Sequence, residues 1–152
     1  MMTLKRKQSP RTLRADARTA LETCAGWNLR AAARRATQFI EEQMAGTGVS
    51  FARFGLMVEI AAAPDDTLGA LAKRMGLDQS TLSRTLRTLE SEGLAEIASV
   101  DGDQRKRMVW LTEKGARQLE AALASWQKAH ARLARHLSVD LVRQIAREAQ
   151  AL

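Results

Sequence analysis

The stretch from Thr67 to Ala95, TLGALAKRMGLDQSTLSRTLRTLESEGLA, constrains this chain more than any other part of it. Leu68, Leu71, Ala72 and Met75 recur at helical spacing, and Thr67 stands where an N-cap belongs, so a short helix is predicted over Leu68–Met75. Gly76-Leu77-Asp78 reads as a tight turn. Asp78 then caps a second helix, predicted over Gln79–Glu92, and Gly93 stops it. This is a helix-turn-helix pattern. Leu82, Leu86 and Leu89 share one face of the second helix, spanning about 60° at the 3.6-residue period. The opposite face presents Ser80, Arg84, Arg87 and Ser91, flanked by Thr81, Ser83 and Thr88.

Such an outer face has the composition that reading DNA requires. Small hydroxyls let a helix lie deep in the major groove, and arginine bonds guanine O6 and N7 with both arms. No acid follows Asp78 until Glu90, so phosphates meet no repulsion along the first three turns, and the dipole at the helix N-terminus favours an anion. The candidate contacts are Gln79, Ser80, Thr81, Ser83, Arg84 and Arg87. Any solvated helix carries similar residues, but here a hairpin follows. Leu94–Ser99 and Arg107–Leu111 alternate as strands do, Asp101-Gly102-Asp103 supplies the turn, and Gln104-Arg105-Lys106-Arg107 forms a charged tip. Val109 and Leu111 are expected to face inward. Trp110 points the other way, with packing against the Gln79–Glu92 helix preferred over exposure beside DNA.

Charge supports a polyanion partner. The 152 residues carry a formal net charge of +7. The excess is uneven: residues 1–35 hold nine basic residues against two acidic, while residues 67–115 hold eight against seven. The argument for DNA therefore rests on where the charges of the central segment point. Arg and Lys at 5–7 and Arg11 make a basic arm over residues 1–11, read as a solubilising tail in preference to a DNA contact. No apolar run follows this arm, so it is not read as a signal peptide, and no segment approaches the roughly 18 apolar residues of a membrane span. A cytoplasmic protein with no membrane partner is expected. One cysteine, Cys24, makes no internal disulfide. Two histidines, one cysteine and no Gly-rich phosphate loop leave no catalytic set, so no enzyme, cofactor or metal site is expected.

The flanks are helical. Leu13, Ala17, Ala20, Cys24, Trp27 and Ala31 are spaced 4, 3, 4, 3, 4, and Gly46-Thr47-Gly48 ends the long helix they predict. Ser50 caps a helix to about Ala63, with Phe54, Met57, Val58 and Ala61 on its stripe. Leu119, Leu123, Trp126, His130, Leu133 and Leu137 repeat the 4, 3 spacing after Thr112, and Ser138 caps a last helix with Leu141, Ile145, Ala149 and Leu152 on one side. Seams this narrow at both ends point to a dimer interface built from the two termini. The expected architecture is mainly α with a small β-hairpin wing: a winged helix-turn-helix over 48–115, and a helical dimerisation region from 12–47 and 116–152. Cys24 on an apolar stripe is read as inert core, with a redox-sensing thiol as the alternative. His130 is read as a seam histidine satisfied across the dimer.

The residues L68-x-x-L71-A72-x-x-M75-G76-L77-D78-x-S80-T81-L82-S83-R84-T85-L86-x-x-L89-E90-x-x-G93-L94, with D103-x-R105-x-x-x-V109-x-L111-T112 and E113-K114-G115, resemble the MarR family. So does G48-V49-S50-F51-A52-R53-F54, although the family often has proline where Ala52 stands. The resemblance implies a dimeric winged-helix transcription regulator, with repression the expected sign. Its Gln79–Glu92 helix would enter the major groove of double-stranded DNA, at a pseudo-palindromic operator. The wing would place Arg105 at the adjacent minor groove, with Asp103 holding it and Lys106 and Arg107 on phosphates. It further implies release by a small aromatic or anionic effector, for which Trp27, Arg30, Arg34, Phe54 and Met57 are the candidate ligand residues. The alternatives are a nucleic-acid-binding architectural module without ligand response, and a thiol sensor working through Cys24.

Overall fold

The computed structural model describes residues 11–64, 67–100 and 103–152, with the backbone alone for Arg11, Val100 and 103–106. The chain divides into two compact units, Met1–Gln38 and Phe39–Leu152. Along it run α1 (Arg11–Thr23), α2 (Ala25–Met44), a single 3₁₀ turn (Ala45–Thr47), α3 (Phe51–Ala62), α4 (Leu68–Met75), α5 (Gln79–Ser91), β1 (Ala95–Val100), β2 (Asp103–Leu111), α6 (Glu113–Leu133) and α7 (Val139–Ala149). This is the mainly helical, hairpin-bearing architecture expected from the sequence.

The first unit corrects the reading of one unbroken N-terminal helix. The helix is interrupted at Cys24, although Cys24 N still donates to Ala20 O (3.0 Å) and Asn28 N to Cys24 O (3.1 Å). Asn28 Nδ2 takes the Glu22 carbonyl at 3.1 Å, so a side chain competes for a helical acceptor beside the weak helix former Gly26. The basic arm lies outside the described residues up to position 10. Leu13, Leu21, Trp27 and Leu29 are exposed in the protomer, and so is Cys24, which is not the core thiol expected.

The second unit is organised around one core. Ile40 and Met44 enter it from the end of α2, Phe54, Leu56, Met57 and Ile60 from α3, and Leu71 and Ala72 from α4. Leu82, Leu86 and Leu89 complete it from α5, as their shared face predicted. Each fully buried leucine contributes about 1.5–3 kcal/mol of transfer free energy. Ser50, Thr67, Asp78, Thr112 and Ser138 all act as N-caps, each accepting from a backbone N–H three residues on. Gly76 ends α4 at φ 62° and its N–H returns to the α4 carbonyls, a conformation glycine adopts at little steric cost. Along α6, Leu119, Ala122 and Ala129 are buried, while Trp126 stacks on Phe54 at 5.9 Å and lies tilted against His130 at 5.0 Å. The helix stops at Leu133, so Leu137 lies beyond it in a turn. On α7 no residue is buried, and Leu141 and Val142 are exposed.

The hairpin is longer than expected on its second strand. Ala95 pairs with Leu111 and Ser99 with Arg107, after which the register shifts and Val100 pairs with Asp103. The charged tip therefore belongs to β2, with 104–106 bulging unpaired from the ladder. Thr67 adds an isolated bridge to Met108, so the residue that caps α4 also extends the sheet. Val109 is buried, as alternation predicted. Trp110 is 36% exposed and donates its indole N–H to Glu96 Oε2 at 3.1 Å. Its partner is thus the facing residue of β1, not α5, because Glu96 stands directly opposite in the register.

Backbone contacts tie α5, the hairpin and α6 together. Thr112 N donates to Leu94 O (3.1 Å), Thr112 Oγ1 to Gly93 O (2.7 Å), and Lys114 Nζ to Glu92 O (2.7 Å). Gly115 lies so close that a β-carbon there would sit 1.9 Å from the Leu94 carbonyl oxygen. Both sides of that contact are backbone, so neither can rotate away. Gly115→Ala is expected to cost about 3 kcal/mol, the upper range for overpacking. That should lower the midpoint of thermal unfolding by about 5–10 °C, followed by circular dichroism. An unchanged midpoint would mean that the two backbones do not touch.

Candidate nucleic-acid interface

The polar face of α5 is built from the same periodicity that buries its leucines. Ser80, Thr81, Arg84, Arg87 and Thr88 are all exposed, and Gln79 and Ser83 lie to one side of them. Gln79 and Ser83 line a cleft of about 440 Å³, together with Thr67, Leu68, Gly69, Leu82 and Arg107. The cleft thus lies between the start of α4, the start of α5 and the second strand of the hairpin. Among the described residues, the only charged side chain in this lining is Arg107, which is exposed. Its position on β2 opposite Ser99, with Thr67 bridging to Met108, sets the hairpin beside the helix-turn-helix. The side chains of Asp103, Arg105 and Lys106 lie outside the described residues.

Two ion pairs that the sequence reading missed hold this framework. Arg74 of α4 contacts Glu59 of α3 through Nε to Oε2 at 3.0 Å and donates to its carbonyl at 3.3 Å. Arg53 of α3 pairs with Glu92, the C-cap of α5. A signal existed for the second: Arg53 is the single basic residue in 36–66. Glu92 is an acid at a helix C-terminus, an unfavourable place for it, so an arginine there offsets both its charge and the dipole.

Asp78 occupies the N-terminus of α5. Its carboxylate accepts from Ser80 Oγ (2.6 Å), Thr81 Oγ1 (2.7 Å) and Thr81 N (2.9 Å). The anion expected at this dipole is therefore the protein's own. The hydrogen bond from Ser80, then those from Thr81, hold the Asp78 carboxyl well below the usual carboxylate range. A depressed value means that the folded chain keeps the charge more readily than the unfolded chain. The contribution is present above the ordinary carboxylate pKa and is lost only as pH falls below it. The carboxyl carbon resonance of Asp78 is expected to show no titration from pH 8 down to about 4, and to move toward ordinary behaviour in a Ser80→Ala, Thr81→Val variant. A midpoint near 4 in the unaltered protein would mean that these bonds are not made.

The candidate ligand residues are distributed over both units. Trp27, Arg30 and Arg34 are exposed on α2. Phe54 and Met57 are buried in the core of the second unit, Met57 fully, and offer no exposed surface. His130 is half-buried against Trp126. Among the described residues no helix is long and apolar enough to cross a membrane.

A family model described as MarR family matches residues 47–106. The transcriptional regulator MOSR of M. tuberculosis, solved in complex with DNA, is 28% identical with a TM-score of 0.75, covering 84% of this chain and 95% of that one. The transcriptional repressor CouR, bound to a 23-mer DNA duplex, superposes with a TM-score of 0.76 at 22% identity over 87% of this chain and 94% of its own. A mutant MarR from E. coli, complexed with operator DNA, superposes at 0.75 with 23% identity, over 87% and 95% of the two chains. A curated relative, the phenylalanine–tRNA ligase alpha subunit of Pyrococcus horikoshii, is 35% identical over 68 residues, so the chain spans only 13% of that protein's length. The matched segment includes the helix-turn-helix and most of the hairpin, and the likeness of fold extends over most of the chain: it has a winged helix-turn-helix fold, and residues 47–106 are similar to the MarR family.

Proposed function

We propose that this chain is a DNA-binding transcription regulator that acts as a homodimer on a pseudo-palindromic operator. The observation that carries the reading is the α5 face: Arg84 and Arg87 are exposed on a helix whose far side is locked into the core by Leu82, Leu86 and Leu89. A rigid helix with free guanidinium groups is suited to bidentate contacts with guanine in the major groove. Arg107, which lines the cleft with Gln79 and Ser83, would meet the flanking phosphate backbone together with Lys106, and Arg105 of the same strand would reach the adjacent minor groove. The DNA-bound state of the regulators MOSR, CouR and MarR supports the same partner here.

Dimerisation belongs to this reading because each unit leaves apolar side chains uncovered. Trp27 is 54% exposed and Leu141 53%. A second copy would cover such surfaces, and two recognition helices would then read major grooves about 10 bp apart. Repression is the proposed sign, since a dimer over a promoter excludes polymerase. Release by a small anionic or aromatic effector is the proposed control, supported by Trp27 with Arg30 and Arg34 at helical spacing on α2.

Binding to the DNA upstream of its own coding sequence, against random duplex and across a salt series, tests the proposal. A dimer on roughly 6–10 phosphates loses about 10³–10⁵ in affinity between 50 and 200 mM salt. Weak binding that is equal on both duplexes would overturn it. Arg84→Ala and Arg87→Ala are each expected to cost about 1–3 kcal/mol on the specific site. Arg107→Ala should instead weaken all duplexes alike and reduce the salt slope by about one.

A further inference from the structure

Hydroxyl groups dominate the α5 face, and a hydroxyl can act as donor or acceptor. In this chain their hydrogens are already committed. Ser80 and Thr81 face the Asp78 carboxylate at 2.6 and 2.7 Å. Thr85 Oγ1 lies 3.1 Å from Thr81 O, Thr88 Oγ1 3.2 Å from Arg84 O, and Ser91 Oγ 2.9 Å from Thr88 O. Carbonyl oxygens and an ionised carboxylate only accept, so in every one of these contacts the hydroxyl must donate. What remains outward is oxygen lone pairs. Ser83 is the one α5 hydroxyl with no such internal acceptor among the described residues, and it faces the Arg107 cleft.

Resting on the reading of α5 as the recognition helix, we infer that Ser80 and Thr81 serve it as acceptors only, selecting the exocyclic amine of adenine or cytosine. Phosphate oxygens have no hydrogen to donate, so these two hydroxyls gain nothing from the backbone, and the Asp78 charge beside them repels it. A base amine in the major groove is the donor that fits, adenine N6 or cytosine N4. The keto oxygen of guanine or thymine at the same place would face lone pairs with lone pairs. Donors on the face come instead from Arg84 and Arg87, which take guanine. The helix thus divides its readout: amine-bearing bases against its first turn, guanine against its second and third. Ser83, with its hydrogen free, is left to the backbone side with Arg107.

The test starts from a duplex enriched out of a random pool by the full-length protein. Aligned on the guanines taken by Arg84 and Arg87, the enriched duplexes should all carry adenine or cytosine on the same strand at the base pair that faces the first turn of α5; all four bases occurring there on that strand would overturn the assignment. In that duplex each such adenine is replaced by purine, or cytosine by pyrimidin-2-one, which removes only the amine, and each nearby phosphate by a neutral methylphosphonate. Loss of the amine should weaken wild-type binding about fivefold, the worth of one hydrogen bond. The same replacement should cost Ser80→Ala or Thr81→Val nothing further, while Ser80→Thr keeps the full sensitivity. Circular dichroism on each variant checks that α5 remains folded. Coupling of Ser80 to a methylphosphonate position, or coupling to neither replacement, overturns the acceptor assignment while leaving the regulator intact. Failure of the pool to yield any enriched duplex overturns the regulator reading itself, and this inference with it.

Discussion

The contact between Gly115 and the Leu94 carbonyl is the constraint on which the rest of the second unit depends. It fixes where α5 ends, where the hairpin begins and where α6 starts, all within a few ångströms. Thr112 fills three positions at once. Its N–H meets Leu94 O, its hydroxyl meets Gly93 O, and the same oxygen caps Gly115 N. Lys114 holds the carbonyl of Glu92, whose carboxylate is paired with Arg53. Four elements therefore converge on one end of α5. A helix gripped at its C-terminus and buried along three leucines can present its polar face in only one orientation. That is the mechanical requirement for reading bases, because hydrogen bonds to base edges tolerate little angular error.

The other end of α5 is organised by charge. Asp78 satisfies a backbone N–H and two hydroxyls together, so the first turn is neutralised from within the protein. The basic side chain Arg107 stands to one side of that turn, in the cleft near the start of α4. On the proposed reading this leaves a central strip to discriminate and a flank to attract, the division between base contacts and phosphate contacts found generally in DNA recognition.

Much of this was legible from residue spacing. The bounds of α4 were read without error, and α5 to within one residue, because Thr67, Asp78 and Gly76 are strong local signals and the leucine period is regular. The exposed set of α5 follows from the same period. Other features were not legible. The break at Cys24 depends on one asparagine side chain choosing a carbonyl, a choice between conformers of similar energy. The long second strand and its bulge depend on register, which flanking turn residues do not determine. The depth of Phe54 and Met57 on the α3 stripe, 4% and 0% exposed, depends on what α4, α5 and α6 lay over them.

The sequence by itself determined the elements, their caps, the two faces of α5 and the family motif, since each of these is a property of neighbours within about four residues. Only the tertiary structure decided what those elements touch. It paired Arg53 with Glu92 across 39 positions, turned Trp110 to Glu96, and pressed Gly115 against Leu94. It also assigned direction to the hydroxyls of α5. A sequence states that a serine can donate or accept, but only the position of Asp78 and of the helical carbonyls determines which. The physical reason is that hydrogen-bond polarity belongs to a pair of atoms, and the pair exists only once the chain has folded.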